Sequence, residues 1–173
     1  MPKTSNIVLI GMPGAGKSTL GEALAEATGF TFVDPDLLIE EAAGGTLAEI
    51  IAARGLPGFI QYEADFICTL EPDHAIISTG GSVVYSETAM KHMADIGTIV
   101  YLRISLEELD KRLGDLQERG VVLPDGISDL ADLYAERVPL YERYADITFD
   151  MDGLSVSEAT AKLAELLAQH GIQ

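Results

Sequence analysis

The stretch Gly11-Met12-Pro13-Gly14-Ala15-Gly16-Lys17-Ser18-Thr19 restricts what this chain can fold into more than any other. It follows the apolar run Ile7-Val8-Leu9-Ile10 and leads into an alanine-rich segment of good helix formers, so the local order is strand, glycine loop, helix. Glycines in such a loop let backbone N–H groups converge on phosphate oxygens, and the helix start adds the positive end of its dipole. Read this way, the main chain from Gly11 to Thr19 cradles nucleotide phosphates, Lys17 reaches the outer ones, and the Ser18 hydroxyl ligands Mg²⁺. The plainer alternative is a tight glycine turn between a core strand and a surface helix. The full Gly-x-x-x-x-Gly-Lys-Ser pattern in its required context weighs against that alternative.

The same alternation continues along the chain. Short apolar, β-branched runs occur at 7–10, 30–33, 75–78, 98–102 and 147–149. Helical periodicity fills 17–28, 47–54, 57–70, 86–94, 105–113, 128–144 and 155–169. Strands alternating with helices predict a parallel sheet covered on both faces, here a five-stranded, three-layer α/β domain. At 173 residues, one domain is the expectation. Two stretches fit the alternation poorly: the helical pair within 44–70, which has no strand between its halves, and 114–126, which carries glycines and Pro124. Open α/β sheets bind ligands at the carboxyl ends of their strands, so such insertions are expected there. We read about 36–70 as an acceptor-binding segment and about 114–126 as a lid.

Charge narrows the partners. With 28 acidic against 11 basic residues the formal net charge is −17, which repels nucleic acid and anionic membrane. No apolar run approaches the ~20 residues that span a bilayer, and the polar start of the chain lacks a signal-peptide core. A cytoplasmic monomer acting on a small molecule is the expectation. Cys68 is the single cysteine, which rules out an internal disulfide and a cysteine zinc site; it reads as a small core residue. His74, His92 and His170 show no metal-ligand spacing and read as loop or solvent positions.

Phosphoryl transfer needs a metal, neutralising cations, a group that orients the acceptor hydroxyl, and exclusion of water. Asp34-Pro35-Asp36 follows the second strand, with Asp34 suited to Mg²⁺ through water and Asp36 to accepting from or orienting a hydroxyl. Such a triplet is also a common turn with a helix cap. Thr79-Gly80-Gly81-Ser82 follows the third strand, where paired glycines admit close approach of a substrate to the backbone. Arg112 closes the helix after the fourth strand, Arg119 lies in the expected lid, and Arg137 precedes a proline inside a helical stretch. Lone arginines are mostly solvated; the position of Arg137 suits anion binding.

Taken together, the phosphate loop, Phe32-Val33-Asp34-Pro35-Asp36, Gly58-Phe59 with Glu63, Thr79-Gly80-Gly81, Val100-Tyr101-Leu102 and Arg137-Val138-Pro139-Leu140-Tyr141 resemble the shikimate kinase family. The motifs occur in order over nearly the whole chain. The resemblance implies a P-loop, nucleoside monophosphate kinase-like core that transfers the γ-phosphate of MgATP to the 3-hydroxyl of shikimate. It further implies that Lys17 and Ser18 serve ATP and Mg²⁺, with Asp34 in the outer shell of the metal. Asp36 would hold the acceptor hydroxyls and Gly80 and Gly81 would back its ring. Arg112 would pack on adenine, Arg119 would reach phosphate from the lid, and Arg137 would bind the acceptor carboxylate.

Three positions depart from the family pattern. Ile60 stands where the family has an arginine that pairs with the acceptor carboxylate, Ser82 replaces a third glycine, and the lid runs Arg119-Gly120-Val121-Val122-Leu123-Pro124. Losing a charged hydrogen bond in a partly buried site costs roughly 1.5 to 3 kcal/mol. Glu63 is retained and is free in principle to hold an ammonium, which makes a hydroxy amino acid such as homoserine the rival acceptor. A non-catalytic nucleotide-binding domain is the other alternative, and it has no need of Asp34, Asp36, Arg119 or Arg137.

Overall fold

The structure is a computed structural model and describes residues 5–113 and 129–173. Its strands are β1 (Asn6–Ile10), β2 (Thr31–Val33), β3 (Ala75–Ser78), β4 (Gly97–Arg103) and β5 (Ile147–Asp150). All pair in parallel, in the order β2-β3-β1-β4-β5. Burial follows position in the sheet. Every residue of the central strands β1 and β3 is buried, whereas edge strand β5 alternates buried Ile147 and Phe149 with exposed Thr148 and Asp150. A strand covered on both faces needs a continuous apolar run, while an edge strand keeps one face wet.

The helices are α1 (Lys17–Thr28), α2 (Pro35–Ala43), α3 (Leu47–Ile67), α4 (Glu87–Ile96), α5 (Leu106–Arg112), α6 (Leu130–Tyr144) and α7 (Val156–Gln169). α1 packs against α7, and α4 and α6 pack on β4 with α3 against α4, so helices cover both faces as expected. Local capping sets several of their starts. The side chains of Ser86, Ser105 and Ser155 accept from the N–H groups of Ala89, Glu108 and Glu158. At α3, Thr46 and Glu49 form a reciprocal capping box. Each such cap stabilises its helix by about 1 kcal/mol.

Strand order reverses at β1, whose neighbours are β3 on one side and β4 on the other. A crevice therefore opens beyond its carboxyl end, where the glycine loop lies. Asn6 closes the opposite end. Its buried side chain donates to Pro72 O at 2.7 Å and Ile96 O at 3.0 Å and accepts from Ala75 N at 2.9 Å. One amide thus ties the start of β1 to the segments that enter β3 and β4.

The sequence pattern and the structure differ in a few places. Residues 35–43 form α2, which the sequence reading treats only as a strand-end carboxylate pair. The start signals are nonetheless present: Asp34 caps the helix, Pro35 opens it, and Gly44 ends it in a left-handed conformation. The exposed Leu37 and Leu38 hide its apolar periodicity. The expected pair of helical segments within 44–70 appears as α3 with a break at Gly55, where φ is 73°. Cys68 is only half-buried at the end of α3, and His92 lies on α4 with Nε2 2.7 Å from Leu70 O, not in a loop. The expected lid, with Arg119, lies outside the described residues. Among the described residues no helix is long and apolar enough to cross a membrane.

Most buried side chains belong to one cluster on the sheet. Ile39, Ile50 and Phe59, from α2 and α3, form a separate small cluster. These two helices therefore carry their own apolar contact beside the crevice.

Candidate active site

The loop after β1 turns through Gly14 and Gly16 in left-handed conformations, with φ of 82° and 93°, before α1 begins at Lys17. Only glycine adopts these angles without strain. The side chains of Met12 and Ala15 are fully buried beneath the loop, so only the main chain of these two residues is available to a ligand. Gly11 and Met12 also turn their carbonyls onto Lys17. Its Nζ donates to Gly11 O at 2.7 Å and Met12 O at 2.8 Å. Among the described contacts an ammonium with three N–H groups keeps one for a phosphate oxygen.

Pro13, Gly14, Gly16, Lys17, Ser18 and Thr19 line a cleft of about 320 Å³. Asp36, Leu47, Phe59, Glu63, residues 79–82 and Arg137 line the same cleft, with Gly81 close to both Pro13 and Arg137. Arg112 lies at the loop end, bonded through Nε to Glu108 at 3.3 Å, with Nη1 3.8 Å from where a Cβ on Gly16 would stand. Phe59 and Glu63 are one helical turn apart on α3 and so face the same way. Ile60, one helical turn before Glu63 on α3, is half-buried.

Asp34 caps α2 by accepting from Asp36 N at 3.0 Å and takes a long hydrogen bond from Ser18 Oγ at 3.4 Å. Ser78 Oγ stands 3.3 Å from the same hydroxyl. Asp34 thus stays beside Ser18, while the Asp36 carboxylate lies against Gly80. Hydroxyl and carboxylate oxygens suit a hard cation such as Mg²⁺. Among the described residues no three His, Cys, Asp or Glu side chains come together, so the protein offers few ligands. That fits an ion that keeps most of its waters and binds substrate phosphates.

At the acceptor end, Gly80 is packed by carboxylates. A Cβ there would lie 3.0 and 3.1 Å from the Asp36 oxygens and 3.3 Å from Glu63 Oε2, so any side chain would displace both groups. A Cβ on Gly81 would lie 2.9 Å from Arg137 Nη1. Arg137 is 1% exposed. Its Nε donates to Tyr85 Oη at 3.0 Å, and Tyr141 Oη donates to Gly81 O at 2.8 Å. Tyr85 and Ser78 escape sequence reasoning because no motif marks them, and Tyr141, though it ends the motif that begins at Arg137, is given no role by it.

Burial sets the ionisation of these groups. It brings the Lys17 ammonium down to about 8, against the pull of Asp36 and Asp34 and with Arg137 reinforcing it. Burial first and Asp34 second push Asp36 up to about 6, with Lys17 opposing. Burial and then Asp36 push Glu63 up to about 7, opposed by the Ser82 hydrogen bond and by Arg137. A cleft holding two protonatable carboxyls beside two cations is built for an anionic, hydroxyl-bearing ligand.

Comparison with known proteins agrees. The family model described as shikimate kinase matches residues 13–168. The chain belongs to the shikimate kinase family. A curated shikimate kinase of Xanthomonas oryzae pv. oryzae (strain PXO99A) is 38% identical over 170 residues, covering 97% of this chain and 94% of the relative. Among solved structures, shikimate kinase from Acinetobacter baumannii in complex with shikimate superposes with a TM-score of 0.87 at 27% identity, covering 99% of this chain and 97% of that one. Thymidylate kinase from Candida albicans, at 16% identity and a TM-score of 0.56, shares the fold alone, over 98% of this chain and 93% of its own. This shikimate kinase family member thus has the nucleoside monophosphate kinase-like architecture that its motifs imply.

Proposed function

We propose that this chain transfers the terminal phosphoryl group of MgATP to the 3-hydroxyl of shikimate. The observation that supports the reading is that Asp36 and Arg137 line one cleft together with the glycine loop and Lys17. In this reading the main chain from Gly11 to Thr19 and Lys17 hold the nucleotide phosphates, with Arg112 beside the base. Ser18 would hold Mg²⁺ with Asp34 supporting it through water, and the ion would neutralise charge on the phosphates. Arg137 takes the acceptor carboxylate, Gly80 and Gly81 let the ring approach the backbone, and Glu63 borders it. Asp36 aligns the hydroxyl and accepts its proton as the oxygen attacks the terminal phosphorus. The new bond is O–P, and the bond to the bridging oxygen of ADP breaks.

Residues 36–70 serve as the acceptor segment in this reading, while the expected lid with Arg119 lies outside the described residues. In this reading the enzyme is a cytoplasmic monomer, as the sequence leads one to expect.

A coupled assay of ADP release, with shikimate and homoserine supplied separately, tests the proposal. Saturable, acceptor-dependent turnover with shikimate and none with homoserine is expected. Turnover with homoserine alone would transfer the assignment to the hydroxy amino acid. Nucleotide binding without turnover of either would leave a binding domain.

A further inference from the structure

Ser82 stands at the start of the 3-10 turn Val83–Tyr85, yet its side chain makes no capping bond to that turn. Its hydroxyl is instead within 3.1 and 3.3 Å of the two carboxylate oxygens of Glu63. Both residues are nearly sealed from water, at 5% and 3% exposure. They come from different parts of the fold. Glu63 lies on α3, whose Phe59 belongs to the small apolar cluster, and Ser82 follows β3 in the main body.

We infer that Ser82 is a positioning residue of the acceptor site: by donating to Glu63 it holds that carboxyl group against Gly80 beside Asp36, and so sets how acceptor binding responds to pH. The inference rests on the reading of this cleft as the site of an anionic hydroxy acid. The charged groups that face Glu63 are Asp36 from α2 and Arg137 from α6, while Ile60 on its own helix brings no charge. A hydroxyl donor favours the ionised carboxylate, against burial and against Asp36. Without that donor Glu63 keeps its proton to higher pH. An acceptor carboxylate drawn toward Arg137 binds better beside a neutral Glu63 than beside a charged one, because like charges in a low-dielectric cleft repel strongly.

The test follows the Glu63 carboxyl carbon by ¹³C NMR across pH in the unliganded full chain, for the parent and for Ser82→Ala, Ser82→Gly and Ser82→Thr. Glu63→Gln assigns the resonance. The titration midpoint is expected to rise by roughly half to one pH unit in the alanine and glycine variants, and to return in the threonine variant, which keeps the donor. The rise of KM for shikimate with pH should move upward with it, while KM for ATP stays within about twofold. An unchanged midpoint in both variants lacking the hydroxyl would overturn the inference, as would a KM raised by one factor at every pH, the mark of a merely structural loss. Should the alanine variant fail to fold, the glycine and threonine variants still decide. The NMR measurement needs no turnover, so absence of shikimate phosphorylation would strike the functional proposal and leave the Ser82–Glu63 link to be judged by its own titration.

Discussion

The Nε–H of Arg137 donates to the hydroxyl of Tyr85 at 3.0 Å, and that hydroxyl donates in turn to Glu136 at 2.6 Å. The guanidinium also lies 5.1 Å from the Tyr85 ring centre, within cation–π range. Arg137 is also hydrogen-bonded to Tyr141, so a buried arginine that lines the cleft is held by two tyrosines. Tyr85→Phe keeps the ring and removes the acceptor. A hydrogen bond to a charged group contributes about 1.5 kcal/mol, so KM for the acceptor should rise about tenfold with KM for ATP nearly constant. Steady-state kinetics with each substrate varied in turn would show it; equal changes in both constants would sink the idea.

Asp36 and Lys17 line the same cleft and interact electrostatically but have different tasks, so their variants should fail differently. Asp36→Asn removes a proton acceptor yet keeps the shape, and kcat should fall by roughly 10² to 10⁴ with ATP affinity preserved. Lys17→Met removes a phosphate contact, and both turnover and calorimetric ATP affinity should be lost. An unchanged kcat in the asparagine variant would take Asp36 out of the chemistry.

Glu63 links the site to stability. Its folded-state value of about 7 lies above the ordinary 4.5, so the native protein holds this proton more tightly than the unfolded chain. Stability is therefore lost as pH rises from about 4.5 to about 7, by on the order of 3 kcal/mol. Glu63→Gln has no charge to bury. It should melt several degrees above the parent at pH 8 and match it near pH 4.5, by thermal unfolding. A variant no more stable at pH 8 would contradict this account.

Asn6 offers a purely structural check. Asn6→Ala leaves two carbonyls and one N–H at the buried end of the sheet without the amide that met them. The expected loss is about 3 kcal/mol, or roughly 6 to 12 °C in melting temperature, with kcat unchanged at 25 °C. A small shift would mean that water replaces the amide there.

Much of the site was legible in advance because its pieces are short and contiguous. The residues from Gly11 to Thr19 form one turn between one strand and one helix, so their spacing alone states how the backbone will lie. Asp34 and Asp36 are legible as a pair that suits either chemistry or a helix cap, and in the structure Asp34 does both, capping α2 and meeting Ser18. Residue 60 is placed in the acceptor site by comparison of motifs alone, because no local period says what an isoleucine there would meet.

From the chain alone came the parallel sheet, the phosphate loop at the end of β1 and the family. All three follow from periodicity and fixed local spacing, which survive without knowledge of distant contacts. The tertiary structure alone decided that Ser82 meets Glu63, 19 residues away, and that Tyr85 meets Arg137, 52 residues away. Such pairs arise when strands and helices from separate parts of the chain converge at one sheet edge. No sequence period encodes that convergence, because it depends on how whole elements pack.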